Sequence, residues 1–418
     1  MTMLRACLFF TAVGLCAGPS HEDTPPRIVL RQAWTQASSG HPTAALSADG
    51  RYVAFVSRAR LLPADTNMQD DIYIFERDSR QLVLATLAYA ALNPQLSGDG
   101  RYLAFDARAS TLTAALDRNE HDDVFVRDNR SGVTRRLSLT PEGRSANGRS
   151  ANPALSADGR WLAFESSATN LVPVDDINGT GSDIFLADLA TGALTRISLD
   201  SAGRQFARAL SPRISGDGQL VVFAAARQGR PAGVPGANSG LSVYLRDIAA
   251  GTTTCISCDP VTSAERLAAF APDVSSDGRI VAFAVQTSDA RSDIVVYDRT
   301  SLTATTITRR ANAQSTSPRL SRDGNVVAFE SSASNLLCRG RCRDADLDEN
   351  LLPDVYVFDR TTERFNRASG GSVTWWTPSL GPAIDGTGRV VVFSSREPFG
   401  PEDLTSDFDL FVCSPLCS

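Results

Sequence analysis

The chain reads as all-β: a seven-bladed β-propeller of four-stranded blades, closed by an N-terminal strand that completes the last blade. Three observations predict it. A short phrase ending in Asp-Gly returns seven times at intervals of 46 to 64 residues. Each full copy carries further strand-like runs in a fixed order, and the last copy stops one strand short while a spare run stands ahead of the first. Units of this length cannot bury an apolar face alone, so neighbouring copies must share a core. Four strands per unit and no long helical pattern select a propeller. One long β-sandwich would not explain the fixed internal order.

The fullest phrase is Asn93-Pro94-Gln95-Leu96-Ser97-Gly98-Asp99-Gly100, running on to Phe105. It returns at Asn152-Pro153-Ala154-Leu155-Ser156 and around Asp217-Gly218, Asp277-Gly278 and Asp323-Gly324. The first copy has Ala44 where the proline would stand, and the last, Asp385-Gly386-Thr387-Gly388, is the most degenerate. Pro-x-Leu-Ser predicts a short extended run, because the residue before proline avoids the α region. Asp-Gly predicts a hairpin turn: glycine takes φ > 0 freely and aspartate bonds the turn backbone. Arg-Tyr-Val-Ala-Phe then predicts a strand alternating outward and inward. A third run opens on aspartate, as in Asp71-Ile72-Tyr73-Ile74-Phe75 and Asp183-Ile184-Phe185-Leu186, and a turn such as Thr191-Gly192 precedes a fourth. In the seventh copy Asp409-Leu410-Phe411-Val412 is the final run, and Ile28-Val29-Leu30-Arg31-Gln32 is the expected fourth strand. Such a closure leaves no free sheet edge at the seam.

The 418 residues and 42% hydrophobic content suit one large globular unit, placed at residues 27–418. A net charge of −6, with arginine as the sole basic residue type besides histidine, gives no footprint for nucleic acid. Residues 1–18 carry one early charge and an apolar run too short to span a bilayer, so they are expected to be a signal peptide, with 19–26 a linker. The mature protein is then periplasmic or secreted, without a transmembrane segment, and expected as a monomer. Export leaves six cysteines in three close pairs, Cys255/Cys258, Cys338/Cys342 and Cys413/Cys417, which are disulfide candidates in an oxidising compartment. Cys255/Cys258 needs a local turn, because residues three apart along a strand face opposite ways. Zinc held by two such pairs is the competing reading.

Function is expected on the face that carries the loops between second and third strands and between fourth and first strands, opposite the Asp-Gly turns. Several of these loops repeat acidic residues: Asp65 to Asp71, Asp117 to Asp123, and Asp175 to Asp183. The sixth is richest, with Asp344, Asp346, Asp348, Asn350 and Asp354, and these are the candidate ligands of a calcium ion, which takes about six to eight oxygens. The EF-hand match is incomplete, because Glu349 replaces its glycine. The alternative is that Asp and Asn only brace their own turns. Trp375-Trp376 stands before the last blade and either stacks on a ligand or roofs the core.

Catalytic constellations are scarce. There are three histidines, no Gly-x-Ser-x-Gly elbow and no phosphate-cradling Gly-x4-Gly-Lys loop. The serine of Ser-x-Asp-Gly recurs in nearly every copy, which marks it as structural. Carboxylate pairs for glycoside hydrolysis remain an open alternative, because acidic residues are plentiful.

The phrase Pro-x-Leu-Ser-x-Asp-Gly-Arg-x-Val-Ala-Phe, followed by Asp-Ile-Tyr-Val-x-Asp, resembles the WD40-like propeller repeat of the TolB family. The likeness covers all seven repeats. Ala168-Thr169-Asn170-Leu171-Val172-Pro173, echoed by Ala333-Ser334-Asn335-Leu336-Leu337, is similar to secreted bacterial members. The resemblance implies a periplasmic or secreted protein-binding propeller, as in the Tol–Pal envelope system. This chain departs from that member in lacking its α/β domain and in having seven blades, not six. Similar propellers precede peptidase domains or form lyases with metal-binding histidines; neither a peptidase domain nor a histidine cluster stands in this sequence. The expectation is a scaffold that binds a protein or peptide through its loop face, with no catalytic residues assigned. The alternative is a carbohydrate-active hydrolase or lyase using acidic loop residues.

Overall fold

The computed structural model describes residues 28–30, 44–108, 112–113, 117, 119–227, 240–258, 268–288, 291–338, 350–369, 378–396 and 409–413. Their strands form seven four-stranded antiparallel sheets, and the architecture is the expected seven-bladed propeller. The first blade comprises Ala44–Leu46, Tyr52–Ser57, Asp71–Glu76 and Gln81–Leu84 in that spatial order. The first strand of every blade packs against the first strands of its neighbours, so these strands ring the axis. In the last blade, Ser379–Ile384, Val391–Ser395 and Asp409–Cys413 are completed by Ile28–Leu30. Val29 pairs with Phe411, antiparallel, and the N-terminal strand closes the ring.

Burial corrects one expectation. The second strand does not alternate outward and inward: Val53 through Ser57 are all buried. Each blade is sandwiched between two others, so both faces of its middle strands are covered. Alternation appears in outermost strands such as Gln81–Leu84 and Thr252–Cys255. Stacked aromatic pairs fill six of the seven blades, with centroids 5.5 to 6.2 Å apart, from Phe55/Tyr73 to Phe393/Phe411. Such pairs add roughly 1 kcal/mol beyond the area they bury.

The repeated phrase is a latch. Ser97 Oγ donates to Asp99 Oδ1 (2.6 Å) and accepts the Tyr102 N–H (2.9 Å), and five other blades copy this bond between 2.5 and 2.7 Å. The degenerate seventh copy keeps it with the partners exchanged: Thr387 Oγ1 donates to Asp385 Oδ2 (2.6 Å). The Asp-Gly glycine has a second duty. Gly218, at φ +74°, faces Trp161 of the preceding blade so closely that a Cβ would sit 2.2 Å from Cδ1. The residue after the turn's opening serine, or after Asp385 in the seventh copy, carries the ring, except that in the third blade the Asp158 N–H makes the bond to Gly216 O (3.2 Å). The Ala48 N–H donates to Gly98 O (2.9 Å) and the Gly98 N–H to Ala157 O (2.9 Å). The chain of bonds continues through Gly216, Ser276 and Arg322 to Gly386, whose N–H returns to Ala48 O (2.9 Å). All seven blades are thus stitched by one closed belt of backbone hydrogen bonds.

The residue before proline is not extended. Asn93, Asn152, Ser211, Ala271 and Ser317 have φ between 49° and 54°, and the register slips there in each innermost strand. Proline excludes the right-handed helical region for its predecessor, and the chain takes the left-handed one at a β-bulge.

Candidate functional site

The acidic loops of the first three blades are frames. Asp65, Asp117 and Asp176 each accept the N–H of the asparagine two residues on, at 3.2, 3.2 and 3.1 Å. Asn67, Asn119 and Asn178 then donate their amides to the carbonyls of Ala88, Ala146 and Phe206, tying the loop to the next connection on the same face. The acids are consumed as well: Asp65 by the Tyr73 hydroxyl (2.7 Å), Asp117 by Arg136 (3.3 Å) and Asp176 by Arg196 (3.8 Å). In five blades an aspartate at or near the start of the third strand accepts a hydroxyl from beyond the fourth strand, as Asp123 does from Ser138 (2.5 Å). Turn-bracing is therefore what these three loops show.

Asn350 and Asp354 repeat the pattern. Asn350 Oδ1 accepts the Leu352 N–H (2.8 Å), and Asp354 Oδ1 accepts from Ser369 (2.8 Å). Asp344, Asp346 and Asp348 lie outside the described residues, as do Trp375 and Trp376. Among the described residues, no three His, Cys, Asp or Glu side chains converge as a metal requires. Cys255 and Cys258 form a disulfide, their Cα atoms 5.5 Å apart because the strand ends at Cys255 and a bend follows. Cys338 and Cys413 are disulfide-bonded, and Cys342 and Cys417, their expected partners, lie outside the described residues.

The frame presents its tip. The residue after each of these asparagines has a left-handed backbone: Met68 (φ 56°), Glu120 (58°), Gly179 (67°) and Leu351 (56°). Glycine is free there, whereas a bulky side chain costs about 1 kcal/mol or more. Met68 and Leu351 accept that cost while 66% and 63% exposed. Val174 and Ile177 are also exposed on this face, and Leu87 stands on the connection after the first blade's fourth strand. Apolar side chains in such positions serve no core.

The axis is the second feature. Leu46, Leu96, Leu155, Ile214 and their counterparts form a collar that lines two cavities, one on each side. The cavity on the loop side, about 180 Å³, is lined one register position earlier by Ala45, Gln95, Ala154, Arg213, Asp273 and Arg319. Around it, the residue after the second-strand phenylalanine is acidic in three blades, and each acid accepts the bulged N–H of the next blade. Asp106 receives Asn152 (3.1 Å), Glu165 receives Ser211 (3.0 Å) and Glu330 receives Gly381 (2.8 Å). Burial pushes Asp106 up to about 7, against the lowering effect of the Asn93 amide, and Asp106 Oδ2 has no partner. Burial also raises Glu165 and lowers Arg213 to about 10. None of these acids was singled out from sequence; the signal was a carboxylate inside an otherwise apolar strand.

No protein-family model matches the chain, and no curated protein matches it in sequence. Solved structures do match. Oligogalacturonate lyase from Vibrio parahaemolyticus aligns at a TM-score of 0.54 and 13% identity, over 90% of this chain and 90% of that one. The β-propeller domain of the Trilobed protease from Pyrococcus furiosus, which has an open velcro topology, aligns at 0.54 and 14% identity over 89% and 95%. TolB from Acinetobacter baumannii aligns at 0.44 and 15% identity over 89% and 82%. At such identities the likeness is one of fold. A propeller is what the TolB-type repeat implied about architecture, its seven blades are what the count of copies implied, and the present ring is closed by its N-terminal strand.

Proposed function

We propose that the chain is an exported, monomeric binding scaffold that takes a protein or peptide on its loop face. The observation that carries this reading is the pair Met68 and Leu351, large apolar residues held exposed at left-handed positions where blade three has Gly179. Exposed apolar anchors on a rigid rim fit a protein interface, whose centre is apolar and whose margin is polar. The neighbouring acids support it from the other side, since in the first three loops they brace the frame. No helix among the described residues is long and apolar enough to cross a membrane. The test is capture from an envelope extract by the intact chain and by a Met68→Ser/Ile177→Ser/Leu351→Ser variant. One protein retained by the first and lost by the second is expected; equal capture by both, or none by either, contradicts the reading.

A calcium ion on the sixth loop belongs to the same proposal and would rest on Asp344, Asp346 and Asp348. A calcium-dependent rise in melting temperature that Asp346→Asn abolishes is expected, and an identical response in both proteins refutes it.

The second reading is a carbohydrate-active enzyme, favoured by Asp106, whose pKa of about 7 suits a general acid or base. The fold shared with oligogalacturonate lyase names the substrate to try. Formation of unsaturated product from oligogalacturonate, abolished by Asp106→Asn, would establish it.

A further inference from the structure

The loop-side chamber on the axis holds charge that the fold leaves unused. Arg213, Asp273 and Arg319 occupy the same register position on the fourth, fifth and sixth blades, so two guanidinium groups flank one carboxylate. Arg213 Nη1 donates to its own strand at Pro212 O (2.9 Å) and Arg319 Nη1 to Pro318 O (3.1 Å). Each guanidinium has five donors, and among the described residues these are the hydrogen bonds they make. Asp273 does not neutralise both. Its Oδ1 lies 3.8 Å from Arg213 Nε, and its Oδ2 is taken by the Leu320 N–H (2.7 Å). Glu165, the other carboxylate acting on Arg213, is turned to the Ser211 N–H.

Space lies beside the charge. Ala45 and Ala154 stand where longer side chains would close the chamber, and 18% of the Arg213 side chain is accessible to it. About 180 Å³ holds several waters or one small polyatomic ion. Apart from burial, the nearby Arg319 charge is the largest influence on Arg213, exceeding Asp273. Two like charges in a confined chamber are relieved by an acceptor that faces both, and a planar guanidinium offers paired donors to oxyanions.

We infer that this chamber binds a small oxyanion, held between Arg213 and Arg319 on the loop side of the aliphatic collar. The inference is independent of the loop-tip anchors. The oxyanion is either a free inorganic ion or the terminal carboxylate of a peptide entering from the loop face, and both present the same acceptor oxygens.

Calorimetric titration of the full chain distinguishes these sources and tests the site. The probes are sodium phosphate, and a tripeptide with a free or an amidated C-terminus, each against sodium chloride at equal ionic strength. Saturable phosphate binding supports a free ion; binding of the free but not the amidated tripeptide supports a terminal carboxylate. Arg319→Gln should weaken whichever probe binds by about tenfold. Asp273→Asn, which keeps an oxygen for the Leu320 N–H, should tighten it by about threefold. No saturable heat from any probe, or an affinity unchanged in both variants, overturns the inference.

Discussion

The two faces of the propeller solve opposite problems. On the Asp-Gly face the seven turns are near copies, and each part of the phrase has a neighbour to serve. Serine and aspartate lock the turn, glycine admits the preceding blade's side chain, and the backbone beside them carries the belt, so that even Arg322 serves there. On the loop face the frame is also repeated, but its tip varies freely among methionine, glutamate, glycine and leucine at the same left-handed position. Uniformity therefore marks where blades need one another. Variation at a position that favours glycine, with large apolar side chains left exposed, is where the proposed binding is placed.

The largest expected effect lies at the Asp-Gly turn, where one blade touches the next. Gly218→Ala combines a left-handed alanine with a collision against Trp161, and should cost about 4 kcal/mol of stability. A chemical denaturation midpoint close to wild type would show that the close approach is idle. Next comes Asp106, where the two faces meet the axis. Its pKa of about 7 in the folded state lies above the ordinary carboxylate range. The folded protein therefore holds the proton more tightly than the unfolded chain. Stability is greatest below about pH 4 as far as this group is concerned, and falls by up to about 1.4 kcal/mol per unit until the pH passes 7. Asp106→Asn should flatten that decline and be more stable than wild type by up to about 4 kcal/mol at pH 8. Parallel pH profiles for the two proteins would contradict the burial argument. Ser156→Ala removes a fully buried hydroxyl that donates to Asp158 and accepts the Trp161 N–H. It should cost about 2 kcal/mol in the same denaturation assay, and a loss below the error of the fit would show that Asp158 alone holds the turn.

The fold was legible because its signal is periodic. Seven Asp-Gly turns, the aspartate opening most third strands and the stray Ile28-Val29-Leu30 run all report on backbone geometry, which sequence pattern records directly. Even the degenerate seventh copy preserves its bond, although the exchange of Asp385 and Thr387 hides it from pattern matching. The site was less legible. Acidic loop residues suggested cation ligands, yet Asp65, Asp117 and Asp176 are spent on their own turns, a choice that depends on where Tyr73, Arg136 and Arg196 come to lie. Arg213 and Arg319 carry no such signal, each being only the residue after the proline of its own copy. That they face each other follows only once the ring is closed and blades four and six are brought to the same axis.

On the proposed function, the loop tips hold backbone strain for the sake of binding. Met68→Gly/Leu351→Gly tests it directly, because glycine relieves the left-handed backbone while removing the exposed side chains. Thermal stability and partner capture are measured on the same preparation. A gain of about 1 kcal/mol in stability together with loss of capture is expected. Stability gained with capture intact would contradict it and would leave these side chains without a role.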